Sequence, residues 1–188
     1  MSGEMIEVKP KITYLEYLCF PLIEPRYELI DGRLEMVPAP TPYHQTALLR
    51  LVLALERFVA ERGLGWVFTA PCDVVFSEHN VLQPDIFFIS EERRHIITEK
   101  NIWGAPDLVV EIISPSTEER DRIAKLGVYA RYGVKEYWLV ELEDRKVKVL
   151  RLGEGGYETA GIYGEEDVLE SPLLEGLKVN LKGIFERL

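Results

Sequence analysis

The sequence predicts an α/β (α+β) fold in which a central mixed β-sheet is flanked by helices. Three observations carry this. Leu108 to Ile113 is apolar throughout except for Glu111, the pattern of a strand buried on both faces. Residues 41 to 62 hold a long amphipathic helix pattern. The order of segments from Trp66 to Glu141, βββ-α-β, is that of a mixed-sheet domain.

The elements follow in chain order. Residues 1–12 lack periodicity and form a lead-in, and 13–188 are expected to make one domain. Thr13 and Glu16 match a capping box, opening a short helix from Tyr14 to about Cys19. Tyr27 to Ile30 and Arg33 to Val37 read as a hairpin, because Asp31-Gly32 between them tolerates positive φ. Thr41-Pro42 reads as an N-cap and first helical residue. The helix runs to about Arg62 before Gly63, and Leu48, Leu51, Val52, Leu55, Phe58 and Val59 share one face. Trp66 to Phe76, kinked at Pro71, then Val81 to Ile89 and Leu108 to Ile113 read as strands. Ser116 and Glu119 form a second capping box, opening a helix to about Tyr132 that Gly133 ends. Strands follow at Glu136 to Glu141, Arg145 to Leu152, Tyr157 to Tyr163 and Leu177 to Leu181, with a short final helix.

At 188 residues the chain buries enough surface to need no staple. Its only cysteines, Cys19 and Cys72, form no C-x-x-C pattern and read as small apolar residues in a reducing compartment. There is no secretory leader pattern and no apolar run of spanning length, so a cytoplasmic protein with no membrane partner is expected. The formal net charge is -10, awkward for a nucleic-acid ligand. The charge is unevenly spread, however. Gly153 to Glu175 carries seven acids and no base, whereas Arg120 to Lys135 carries five Lys or Arg against Asp121 alone. A local basic surface on an acidic protein is therefore available.

The chemistry-bearing residues are Asp85 and Glu111. Asp85 precedes four apolar residues and Glu111 follows three. Two carboxylates about 4 Å apart repel by roughly 4 kcal/mol at an effective dielectric near 20. A hard cation such as Mg²⁺ removes that penalty, since it takes one or two carboxylates and keeps waters. Each acid could instead pair with an arginine or cap a turn. Asp107, on the same strand face as Glu111, ranks second as partner acid. On the 117–132 helix, Ile123, Leu126 and Ala130 mark an apolar face. Arg122, Lys125, Tyr129 and Tyr132 form a second stripe, suited to a nucleic-acid backbone or to a plain solvated face with an Asp121–Lys125 pair. Glu28 is a third acid for the site or a cross-strand partner. His44, in the first turn of the long helix, is a neutral base or phosphate contact, or a partly buried capping residue. No P-loop, nucleophile elbow or zinc-spaced cluster is present.

These segments, in this order, resemble a known family. Tyr27-Glu28-Leu29-Ile30-Asp31-Gly32, His44-Gln45, Gln83-Pro84-Asp85 and Pro106 to Ser116 match its successive motifs. Asp121-Arg122, Lys125-Leu126, Tyr129-Ala130, Gly133-Val134 and Glu136-Tyr137-Trp138 complete the match. The chain resembles the Uma-type endonucleases, a branch of the PD-(D/E)xK nuclease superfamily, from about Thr13 to Phe185. The resemblance implies a restriction-endonuclease-like core and Mg²⁺-dependent (or Mn²⁺-dependent) phosphodiester hydrolysis. It implies that Asp85, Glu111 and the main-chain carbonyl of Ile112 bind the metal, with Glu28 an accessory acid. One departure stands out: the lysine expected two residues after the glutamate is replaced by Ile113, and Lys125 matches the position of a lysine migrated to the neighbouring helix.

The expected function is thus a metal-dependent endonuclease with Asp85, Glu111, Lys125 and Glu28 as catalytic residues. His44 and Arg122 are its expected substrate contacts, DNA its expected partner, and a homodimer is consistent with cutting two strands. The rivals are a binding module that keeps the fold without cutting, and a metal hydrolase of another phosphoester. The arrangement of Asp85, Glu111 and Lys125 decides between them.

Overall fold

In a computed structural model, residues 11–19, 26–113 and 119–187 are described, those of 119–122 by their backbone only. Helix α1 is Tyr14–Tyr17, and Thr13 caps it in the reciprocal box expected. Strands β1 (Arg26–Ile30) and β2 (Arg33–Val37) form the hairpin. Its turn residues Asp31 and Gly32 sit at φ +48° and +79°, the left-handed pair of a type I′ turn. Helix α2 spans Pro42–Arg62, with the Thr41 hydroxyl accepting from His44 N–H and Gly63 closing it at φ +61°. Then come β3 (Gly65–Thr69), β4 (Val74–Ser77), β5 (Asn80–Leu82) and β6 (Ile86–Ser90). A 3₁₀ turn (Glu91–Ile96) and β7 (Ile102–Trp103) lead to β8 (Leu108–Ile113), α3 (Glu119–Tyr132) and β9 (Glu136–Glu141). The chain ends with β10 (Lys146–Gly153), β11 (Gly156–Gly164), β12 (Val168–Glu170), β13 (Lys178–Asn180) and α4 (Leu181–Phe185).

The central sheet is mixed, in the order β11-β10-β9-β8-β6-β3. Only β8 and β9 run parallel in it, joined through α3 as a β-α-β unit, and its other pairs are antiparallel. A second sheet runs β2-β1-β5-β4-β7, and β12 pairs with β13. Alternation sorts the side chains of the central strands. Ile86, Phe88, Leu108, Val110, Trp138 and Val140 pack under Ala47, Leu51, Leu55 and Val59 of α2 and Phe185 of α4. Phe87, Ile89, Val109, Tyr137 and Leu139 pack on the other face against Val128 and Tyr129 of α3 and Val74 and Leu82 of the second sheet. The face predicted for α2 is the buried one, with Leu48 and Val52 packed at its margin. Among the described residues no helix is long and apolar enough to cross a membrane.

Two sequence readings change. Trp66 to Phe76 is not one strand: β3 belongs to the central sheet and β4 to the second, with Pro71 between them. Val81 to Ile89 divides in the same way into β5 and β6 at Gln83-Pro84-Asp85. Proline offers no N–H to a ladder, so both breaks fall where pairing must lapse. Ser116 lies outside the described residues. On α3 the inward face also differs from the expected one. Ile123 is 62% exposed, while Tyr129 is fully buried, because the phenol and the Lys125 ammonium find acidic partners on the sheet side.

The C-terminal segment is pinned by a buried acid. Glu136 accepts from Trp138 Nε1, Ser171 Oγ and Leu173 N, each at 2.7 Å. Burial raises its pKa above the ordinary carboxylate value of 4.5, and the Ser171, Trp138 and Leu173 donors offset only part of that. With the folded value raised, its favourable contribution is complete below the unfolded pKa and fades as pH rises through the folded one. Glu136→Ala orphans the Trp138 and Leu173 donors. Urea titration at pH 7 should show a loss of about 2–6 kcal/mol, from two buried groups at about 1–3 each. It should also show a flatter dependence of stability on pH above 4.5 than the unsubstituted chain has.

Candidate functional site

The β8-α3-β9 unit builds one side of the site. Glu111 lies near the end of β8 and is 6% exposed. Lys125 projects from α3 to it, with Nζ 3.3 Å from Glu111 Oε1. The same ammonium donates to Glu28 Oε1 at 3.0 Å and stands 2.8 Å from Glu28 Oε2. Glu28 comes from β1 of the second sheet and is itself buried. One turn along α3, the Tyr129 hydroxyl donates to Glu111 Oε1 at 2.5 Å. The stripe of Lys125 and Tyr129 is therefore turned toward the acids of the sheet, with Lys125 at the wall of a pocket, and is not a solvated face.

Asp85 supplies the other side, just before β6. The register that pairs Ile86 with Val110 sets Asp85 beside Glu111 when carried on by one residue. Asp85 Oδ2 accepts the Ile112 N–H at 2.7 Å and the His44 Nε2–H at 3.2 Å. Carried on by two residues, the register sets Pro84 opposite Ile112. Within a strand, the N–H and C=O of one residue point to the same side, and the Ile112 N–H points to Asp85. Pro84 has no N–H to return to the Ile112 carbonyl. That carbonyl therefore faces the same space as the two acids without a ladder donor from the β6 side.

Asp85, Glu111, Ile112, Lys125 and His44 line one pocket of about 470 Å³ together with Arg26 and Gln45. Pro38, Pro40 and Pro71 form stiff walls. Three acids surround one ammonium here. Burial pushes the Glu111 carboxyl up to about 7; Lys125 lowers it, while Asp85 and Glu28 push it further up. Burial alone would lower the pKa of Lys125, but Glu111, Glu28 and Asp85 overcome this and hold it above its ordinary value. With all four groups ionised the cluster carries a surplus of two negative charges.

In that ionised state the surplus and the carboxylates of Asp85 and Glu111 would suit a hard divalent cation that retains several waters. Among the described residues no group of three His, Cys, Asp or Glu side chains is arranged to hold a metal. Asp85 and Glu111 are the side chains there that could hold such an ion, with the Ile112 carbonyl beside them, while Glu28 is engaged by Lys125 and by the Gln83 N–H at 2.9 Å.

The remaining sequence candidates separate. Asp107 stands at the opposite end of β8, buried between Lys135 at 2.8 Å and Arg93 at 3.6 Å, and accepting from Ser90 N at 2.9 Å. Burial would raise its pKa, but Lys135 and the Ser90 donors bring it below the ordinary value. It is a structural acid, its charge balanced by Lys135 and Arg93. His44 is 7% exposed and reaches Asp85. Arg122 lies on α3 one turn before Lys125, and its side chain falls outside the described residues. Sequence reasoning placed Tyr129 on a stripe facing nucleic acid or solvent, whereas its hydroxyl is buried on Glu111; it gave no role to the Gln83 N–H. The signal was present: Tyr129 follows Lys125 at i+4, and Gln83 adjoins Pro84-Asp85.

Three comparisons place this geometry among known proteins. Residues 14–182 match the family model described as "Uma2: Putative restriction endonuclease". The fold is similar to the crystal structure of a "putative nuclease belonging to DUF820" from Anabaena variabilis, with a TM-score of 0.78 and 23% identity. That alignment covers 93% of this chain and 97% of the other. No curated protein matches the sequence.

Removing the central cation tests the cluster directly. Lys125→Met leaves the Glu28 and Glu111 carboxylates buried without their ammonium, a change that typically destabilises by about 3–5 kcal/mol. Adding Glu28→Gln to that variant should recover part of the loss in a urea double-mutant cycle. Strictly additive effects would show that the contact carries no coupling.

Proposed function

The chain belongs to the Uma2 family, and from that premise we propose that it is a metal-dependent endonuclease hydrolysing phosphodiester bonds, with DNA as the expected substrate. The observation that carries this reading is the meeting of Lys125 with Glu111, beside Asp85, at the wall of an open pocket. Asp85, Glu111 and the Ile112 carbonyl would hold Mg²⁺ or Mn²⁺. Bound there, the cation would lower the pKa of a water and neutralise charge on the phosphate.

The chain's own groups do the rest. Tyr129 and Lys125 both donate to Glu111 Oε1, which fixes the carboxylate and leaves Oε2 to face the cation. Glu28 keeps Lys125 protonated and holds its Nζ forward. The ammonium would then orient the attacking water and stabilise the negative charge that builds on the oxygens of the pentavalent transition state. The stiff proline walls fix the width of the pocket, so the scissile phosphate meets a preorganised site. Arg122, one turn from Lys125 on the same stripe, is the phosphate contact this reading assigns to the basic segment of α3. If Arg122 and its basic neighbours contact phosphates, nucleic-acid binding should fall steeply as salt rises, despite the net charge of -10.

Purified protein should cleave members of a panel of single- and double-stranded DNA and RNA with Mg²⁺ or Mn²⁺, and EDTA should stop it. Asp85→Asn and Glu111→Gln should each lower the rate by about 10²–10³-fold, the range for loss of a group that acts on transition-state charge. An intact panel in the presence of either metal would sink the nuclease reading. Cleavage of small phosphoesters alone would favour a different hydrolase.

The metal component has its own readout. Excess Mn²⁺ at about 100 times its dissociation constant should stabilise the protein by about 2.7 kcal/mol. Thermal melts should show this gain for the unsubstituted chain and lose it in Asp85→Asn.

A further inference from the structure

Resting on the metal-dependent reading above, we propose that His44 is a positioning residue that locks the Asp85 carboxylate for the cation, and that it makes no contact with substrate. Three observations support this. The side chain is 9% exposed, and Nδ1 is buried with no partner among the described residues. It therefore offers no free edge to an incoming phosphate. Its other nitrogen, Nε2, faces Asp85 Oδ2 at 3.2 Å, and since a carboxylate oxygen only accepts, Nε2 is the donor.

The same Oδ2 also takes the Ile112 N–H at 2.7 Å. Two donors from different elements, α2 and β8, thus converge on one oxygen. They fix the rotation of the carboxyl group about its terminal bond, which is otherwise broad. The second oxygen, Oδ1, is left as the one that can meet a cation. The position of His44 is set in turn by the N-cap of α2, where Thr41 Oγ accepts the His44 N–H at 3.2 Å. The helix start therefore acts on the metal site through one imidazole. This fits the way outer hydrogen bonds orient ligands and tune metal affinity.

Mn²⁺ titration calorimetry without nucleic acid tests the proposal on the full chain. His44→Ala should weaken Mn²⁺ binding by about 10–100-fold. His44→Gln, whose amide can return a donor near the place of Nε2, should recover most of it. In Asp85→Asn, adding His44→Ala should change the affinity little further, because the carboxylate it orients is gone. A folded His44→Ala variant that binds Mn²⁺ as the unsubstituted chain does, and only raises KM for nucleic acid, overturns the positioning role and leaves the metal reading intact. Absence of Mn²⁺ binding by the unsubstituted chain overturns both.

Discussion

The arrangement depends on one ammonium group held between two buried carboxylates. Lys125 joins α3 to β8 through Glu111 and to the second sheet through Glu28. Each partner alone would be costly in this environment: an unpaired buried charge is destabilising, and two carboxylates without a cation repel. Together they set how α3 docks, which face of it turns inward, and how the two sheets meet. The Arg131–Asp31 contact at 2.8 Å repeats the theme at the surface, tying the far end of α3 to the β1–β2 turn. The helix is therefore oriented by charge at two points and by the ring of Tyr129 between them.

Much of this was legible in the sequence, for physical reasons that differ from place to place. β8 was plain because a doubly buried strand must be apolar, so Glu111 stood out against its neighbours. The long helix was plain because caps and periodicity agree from Thr41 to Gly63. The Asp31-Gly32 turn was plain because few other pairs accept its backbone. The inward stripe of α3 was harder. Ile123 is more apolar than Lys125, and hydropathy alone sends it inside; only the acids supplied by distant strands reverse that choice. The exchange of strands between sheets at Pro71 and Pro84 was hidden for a similar reason. A proline announces that pairing stops, but not where the chain goes next.

The acidity of the chain also becomes easier to understand. Many of its cations are engaged with neighbouring carboxylates: Lys125 with Glu28 and Glu111, Lys135 with Asp107, Arg145 with Glu165. With Glu111 ionised, the Lys125 cluster differs from a solvated acidic face, because burial makes its two uncompensated charges costly. Pro84 works in the same direction by withholding a hydrogen-bond donor from the Ile112 carbonyl. Under the proposed function, a bound cation would offset the carboxylate charge that Lys125 alone does not balance.

The sequence distances within the ammonium cluster have a kinetic consequence. Glu111 lies 14 residues from Lys125, whereas Glu28 lies 97 away. Closing the longer loop costs about 1.7 kcal/mol more in chain entropy, from the logarithm of that ratio. The lysine meets its first acid within a local β-α-β unit and its second only when the N-terminal hairpin closes over it. Contacts of the second kind slow folding. The charged site is therefore complete only when the N-terminal hairpin has docked against the β-α-β unit.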